Sequence, residues 1–313
     1  MPCRFIGFRF QDLYSKTPAG PSRFVLLRAS AGQLYDSGDS TIQGFEDQGF
    51  KDEGFKDEGF VISDQGSAIQ MTPVDLLVFG PHPDDIEIGF GGSVALHVAL
   101  GFRTGLCDLT RGELGSNGTP DEREAEAEAA RVVLGAAWRE NLRWPDGGIS
   151  GTEQQIADVV RLIRSVRPRT VALPYWNDRH PDHRAASDVL SRATFKSGLR
   201  RFAPGQGEAW RPEWVCYYFI NDSVPESFGI DVSAHYETKR KALACHRSQF
   251  VPPDGGVSTR LTAPQFQQLI ESRDAHLGAL LGVQYAEAVV VREPILRPHA
   301  MKDWRSAPPA GRS

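Results

Sequence analysis

A chain of 313 residues with 35 Lys and Arg against 40 Asp and Glu carries a formal net charge of −5, so no general attraction draws it to nucleic acid or to an anionic lipid surface. Hydrophobic residues at 40% and aromatics at 10% are enough to fill a core, which excludes disorder throughout. No run approaches the ~18 to 20 consecutive apolar residues of a membrane span, and the opening MPCRFIGFRFQDLYSK lacks the apolar stretch of a secretory signal, so a cytoplasmic protein is expected.

Residues 1–70 differ in texture from the rest of the chain. Residues 44–60 read GFEDQGFKDEGFKDEGF, a five-residue repeat that matches neither the helical nor the strand period. So little apolar area cannot offset the entropy of ordering, and a low-complexity, disordered extension is expected over 1–70. A partner-binding tail with Phe residues as contacts is the alternative, and translation beginning at Met71 is a third. The folded domain is expected over 71–300, with residues 301–313 as a flexible tail.

From Val74 the chain alternates. VDLLVF is a short apolar run stopped by Gly80-Pro81, and residues 91–100 read as an apolar-faced helix ended by Gly101. TGLCDL is a second strand. Pro120 then opens the helix DEREAEAEAARVVLG, acidic in its first turn and closed by glycine. EQQIADVVRLIRSVR places Ile156, Val159, Val160, Ile163 and Val166 on one stripe and leads through Pro168 to the strand TVALP. A helix RAASDVLSRATF, a strand WVCYYFI, a helix ETKRKALACHRSQF, a Gly/Pro-rich loop, a long helix from Ala263 and a strand EAVVV complete the pattern. Strands separated by helices specify an α/β fold: a Rossmann-like, mostly parallel sheet covered on both faces, with its site at the carboxyl ends of the strands. Cys3, Cys107, Cys216 and Cys245 are widely spaced and form no CxxC pair, which suits reduced thiols and not a cysteine zinc site.

Two loops carry the chemistry. The loop after the first strand holds His82-Pro83-Asp84-Asp85, an imidazole and two mutually repelling carboxylates that a cation would relieve. The loop after TVALP holds His180-Pro181-Asp182-His183. Loops distant in sequence meet over the rim of a doubly wound sheet, so His82, Asp85 and His183 can supply three ligands to Zn2+, or another divalent ion such as Fe2+, with a position open for water. Asp84 is then the candidate general base and His180 the candidate group to polarise a carbonyl or protonate a leaving amine. Asp182 can orient an imidazole. The competing readings are helix caps for Asp84, Asp85 and Asp182, with His82 simply packed.

HPDD followed by EIGFGG, then TRGELGSNGTPDEREAEAEAARVVLG, then RHPDH, resembles the LmbE/PIG-L family of zinc-dependent N-acetylglucosamine deacetylases over most of residues 74–295. The stretches DLTRGELGSNGT, NLRWPDGGI and HRSQF are most similar to its bacillithiol-pathway branch, which acts on N-acetylglucosaminyl-L-malate. The resemblance implies a metal-dependent N-deacetylase and a homo-oligomer, with a small amino-sugar conjugate as partner. It makes His82, Asp85 and His183 the ligands, Asp84 the base, His180 the second catalytic histidine, and Arg123 a group facing substrate, where a guanidinium suits a carboxylate. An ordinary helical pair with a neighbouring glutamate is the alternative for Arg123. The loop after SQF lacks the tyrosine that relatives of this branch can carry. Alternative functions are deacetylation of an inositol-linked or oligosaccharide conjugate and, from another class, nucleotide-dependent oxidoreduction. The latter fits poorly, because Gly89-x-Gly91-Gly92 is not GxGxxG and Asp84-Asp85 would repel a pyrophosphate.

Overall fold

Alternation within short apolar runs decides the layering. In β1 (Leu76–Gly80), Leu77 and Phe79 enter one core while Leu76 and Val78 enter the other, so the strand is buried on both faces. The computed structural model describes residues 72–222, 226–251 and 256–296. The expected extension over 1–70, the start at Met71, Cys3 and the tail over 301–313 lie outside the described residues.

The described elements run α1 (Asp85–Ala99), β2 (Thr104–Thr110), α2 (Pro120–Leu134), β3 (Trp138–Trp144), α3 (Glu153–Val166), β4 (Thr170–Pro174), α4 (Pro181–Ser197), β5 (Trp214–Tyr218), β6 (Phe228–Asp231), α5 (Tyr236–Cys245), α6 (Arg247–Phe250), α7 (Pro264–Leu281) and β7 (Ala286–Val290). They form a seven-stranded sheet in the order β3-β2-β1-β4-β5-β7-β6. The first five pair in parallel, and β7 runs antiparallel to both β5 and β6. The fold is thus α/β with a mostly parallel sheet. One core packs α3 and α4 on the sheet, and the other packs α1, α2, α5 and α7 on its opposite face. Strand order reverses between β1 and β4, which opens a crevice where loops after those two strands face each other.

Local signals explain the helix ends. Thr119 and Glu122 form a reciprocal capping box ahead of α2, as Thr152 and Gln155 do ahead of α3. The stripe Ile156, Val159, Val160, Ile163 and Val166 is fully buried. Several bounds differ from the sequence expectation. Helix α1 begins at Asp85 and not Gly91, since its first two turns are buried despite three glycines. Gly89 is needed there: a Cβ would stand 2.5 Å from the Phe219 carbonyl oxygen. The helix expected over 237–250 breaks at His246, whose ψ of 56° leaves the helical range. Strands β3 and β6 are additional to the elements expected from the sequence. Among the described residues no helix is long and apolar enough to cross a membrane.

Candidate active site

The turn from β1 into α1 sets out the first group of side chains. Asp84 occupies the N-cap position with φ 117° and ψ −27°, a backbone conformation that L-residues rarely hold. Its carboxylate makes no cap bond, so the capping alternative fails for it, and one oxygen instead lies 3.5 Å from Arg123 Nη2. Asp85 Oδ2 accepts the His82 backbone N–H at 2.9 Å and stands 3.0 Å from His82 Nδ1 and 3.3 Å from His183 Nε2.

The turn from β4 into α4 sets out the second. The cap of α4 is His180, whose Nδ1 accepts the Asp182 N–H at 3.2 Å. Asp182 is therefore released from the capping role, and its Oδ2 accepts the Gly147 N–H at 3.0 Å and lies 3.3 Å from His82 Nε2. Asp178 gathers the other imidazole: its Oδ1 is 3.2 Å from His183 Nδ1, and it accepts Asn221 Nδ2 at 2.9 Å and the His180 N–H at 2.7 Å. His180 and His183 stack with ring centroids 4.6 Å apart.

His82, Asp85 and His183 each offer a ligand atom within 4.8 Å of the others, and all three are buried. His82, His180 and Asp182 meet the same spacing, but His180 is exposed and its Nδ1 and the Asp182 carboxylate are committed to α4 and Gly147. The first group fits a divalent cation better. On both its histidines the second ring nitrogen faces a carboxylate, Asp146 and Asp182 for His82 and Asp178 for His183, which is how ligating imidazoles are oriented in metalloproteins. The electrostatics agree. Burial disfavours charged His82 and His183, yet the surrounding carboxylates outweigh it, holding His82 well above the ordinary imidazole range and His183 at about 9. Such an excess of buried carboxylate favours a cation.

Asp84 behaves differently from its neighbour. Burial raises its carboxyl to about 6, with Asp85 adding to the rise and Arg123 opposing it. Burial works the same way on Asp85, but His183 and His82 overcome it and hold Asp85 well below the usual carboxylate range. Two adjacent acids thus have separated affinities for a proton, a pattern typical of sites that divide binding from proton transfer. His180 is shifted down, by burial and then by His183 and His82, so it is neutral at physiological pH.

These groups line a cavity of about 540 Å³ at the carboxyl ends of the parallel strands. The structure brings all the sequence-selected residues to it, Arg123 included. Arg123 does not pair with helix glutamates: Nη1 donates to Gly112 O at 2.7 Å and Nη2 to Pro83 O at 2.8 Å, so it braces the Asp84 turn against the loop after β2. Gly112 has φ 67°, and the guanidinium lies where its side chain would be. Sequence reasoning missed Asp146, Asp178, Asn221 and Gln249, although Asp146, Asp178 and Asn221 follow strands at this same rim. The loop lacking a tyrosine does reach the cavity, through Thr259, Arg260 and Leu261.

Comparison with known proteins gives the family. The family model PIG-L, GlcNAc-PI de-N-acetylase, matches residues 77–194. The diacetylchitobiose deacetylase of Thermococcus kodakarensis is 28% identical over 228 residues, covering 68% of this chain and 81% of that protein. A 1D-myo-inositol 2-acetamido-2-deoxy-alpha-D-glucopyranoside deacetylase of Catenulispora acidiphila is 27% identical, covering 60% and 82%. The crystal structure of the conserved protein TT1542 from Thermus thermophilus is 38% identical with a TM-score of 0.65, covering 77% of this chain and all of that one. The chain belongs to the PIG-L family, also called LmbE.

Proposed function

We propose that the protein is a metal-dependent N-deacetylase that hydrolyses the N-acetyl group of an N-acetylglucosamine conjugate to acetate and the free amine. The observation that carries this reading is the convergence of His82, Asp85 and His183 beside Asp84 and His180 in one cavity. Two of the relatives above, from Thermococcus kodakarensis and Catenulispora acidiphila, are named as deacetylases of amino-sugar compounds.

His82, Asp85 and His183 would hold the ion, with zinc the ion best suited to two imidazoles and one carboxylate, and iron an alternative. When bound, such an ion supplies Lewis acidity at the reacting oxygens. Asp84, with a proton affinity near neutrality, takes a proton from the attacking water as the new C–O bond forms. His180, exposed at the cavity wall, faces the acetamide and assists the carbonyl oxygen or the departing nitrogen. Cleavage of the C–N bond sends the proton to the amine. Asp182 keeps His82 oriented.

The finer reading is N-acetylglucosaminyl-L-malate, as in bacillithiol biosynthesis. Arg179 and Arg260 line the cavity along with Arg123, and among the described residues neither of the first two meets a carboxylate, which supports an acidic conjugate. The names of the relatives support an inositol-linked or chitobiose substrate as the second reading. The test is to incubate zinc-loaded protein with the malate, inositol and chitobiose compounds and to measure primary amine release. Amine release that stops with EDTA and returns with zinc supports the activity. Preference for malate that Arg260→Ala abolishes supports the finer reading, and no release from any of the three refutes the whole.

A further inference from the structure

Behind the cavity lies a group of charges, Lys239, Asp274 and Glu287 buried and Arg273 part-buried, that do not line it. Arg273, on α7, serves two walls at once. Its Nη2 donates to Ile88 O at 2.8 Å, and its Nη1 donates to Ile220 O at 2.8 Å and Phe219 O at 3.3 Å. Its Nε donates to Asp274 at 3.0 Å, and Asp274 and Glu287 share Lys239. On the same stretch of α1 the Gly92 and Ser93 N–H groups lie 2.9 and 2.7 Å from the Glu287 carboxylate, while Arg273 adds a donor to the Ile88 carbonyl.

Each wall leads into the site. The Ile88 N–H donates to Asp84 O at 2.9 Å, one turn along from the Asp84–Asp85 pair. On the other side, Asn221 follows Ile220 and donates through its backbone N–H and Nδ2 to the two oxygens of Asp178, at 3.2 and 2.9 Å, and Asp178 faces His183. We infer that Arg273 is a positioning residue that sets the spacing between the Asp84–Asp85 turn and His183 by bridging these carbonyls. Arginine is suited to this because its planar fork offers five donors in fixed directions, whereas a lysine ammonium cannot span both walls. The inference rests on the metal-site reading above.

The test compares the parent, Arg273→Lys and Asn221→Ala. Each is stripped of metal, titrated with zinc against a chromophoric chelator, loaded with cobalt(II) for its visible spectrum, and assayed for kcat and KM. Supporting groups around a metal site cost about 10- to 100-fold when lost. Arg273→Lys is expected to bind zinc roughly tenfold more weakly, to alter the cobalt spectrum, and to lower kcat while KM stays within about twofold. Zinc affinity and cobalt spectrum equal to the parent in a folded Arg273→Lys would overturn the inference. Where Arg273→Lys does not fold, Asn221→Ala reads the same arm: a shifted cobalt spectrum supports the inference and an unchanged one overturns it. A parent that takes up neither ion refutes the metal-site reading itself, a result distinct from variants that match a metal-binding parent.

Discussion

Lys239→Met removes the one cation that two interior carboxylates share. Lys239 is fully buried, and its Nζ donates to Asp274 and Glu287 at 2.6 Å each. At an effective dielectric of ~20 each contact is worth about 6 kcal/mol of gross attraction, most of which the burial of three ionised groups offsets. Deleting one partner of a buried pair costs about 3 to 5 kcal/mol. Asp274 keeps Arg273 and Tyr236, and Glu287 keeps the Gly92 and Ser93 N–H groups, which sets the expected loss near the lower bound, about 3 kcal/mol. With a urea slope of about 3 kcal/mol per molar for a domain of this size, the unfolding midpoint falls by about 1 M. The pH dependence comes from Asp274. Burial raises its carboxyl, but Lys239 and Arg273 overcome this and hold it below the ordinary 3.8. A depressed carboxyl contributes its stability above that value and loses it as pH falls through the folded one. The gap between parent and variant, measured by urea unfolding in EDTA, therefore narrows below about pH 4. A loss under about 1 kcal/mol at neutral pH, or an equal gap in neutral and acidic buffer, would refute the reasoning.

Asp84→Asn should retain stoichiometric metal by elemental analysis while kcat falls by about 10²- to 10⁴-fold, the usual share of a general base. His183→Ala should instead lose the ion on dialysis, and added zinc should not restore turnover at the parent's zinc concentration. Gly89→Ala forces α1 away from Phe219, so thermal melting should report about 1 to 3 kcal/mol of lost stability, together with weaker metal retention because Asp85 lies one turn away.

The order and type of the parallel elements were legible because their strands are short apolar runs bounded by Gly or Pro, and their helices carry caps. Strand β3 is hard to read because in WRENLRW, an edge strand that is mostly half-buried, Glu140 interrupts the alternation of Trp138, Leu142 and Trp144. Strand β6 is four residues long and mostly half-buried. The break at His246 arises where the buried imidazole turns toward Glu87, 3.3 Å away, a partner on α1 far off in sequence. At the site, His82, Asp85, His180 and His183 were legible because each motif places several chemical groups at one strand end. Asp146 and Asp178 are single acids whose purpose exists only once five strands lie side by side. Arg273, Lys239 and Glu287 read as ordinary charges on helix and strand, since nothing local tells an interior charge from a solvated one.

The backbone at Asp84 is one that glycine adopts freely and aspartate does not. With Asp84 as the base proposed above, durability and turnover pull this position in opposite directions. A lineage that kept only the scaffold, as a binding protein for instance, would drift to glycine here and gain resistance to heat. An acid persisting at 84 among divergent copies of the fold is thus a mark of chemistry still under selection, readable without any assay.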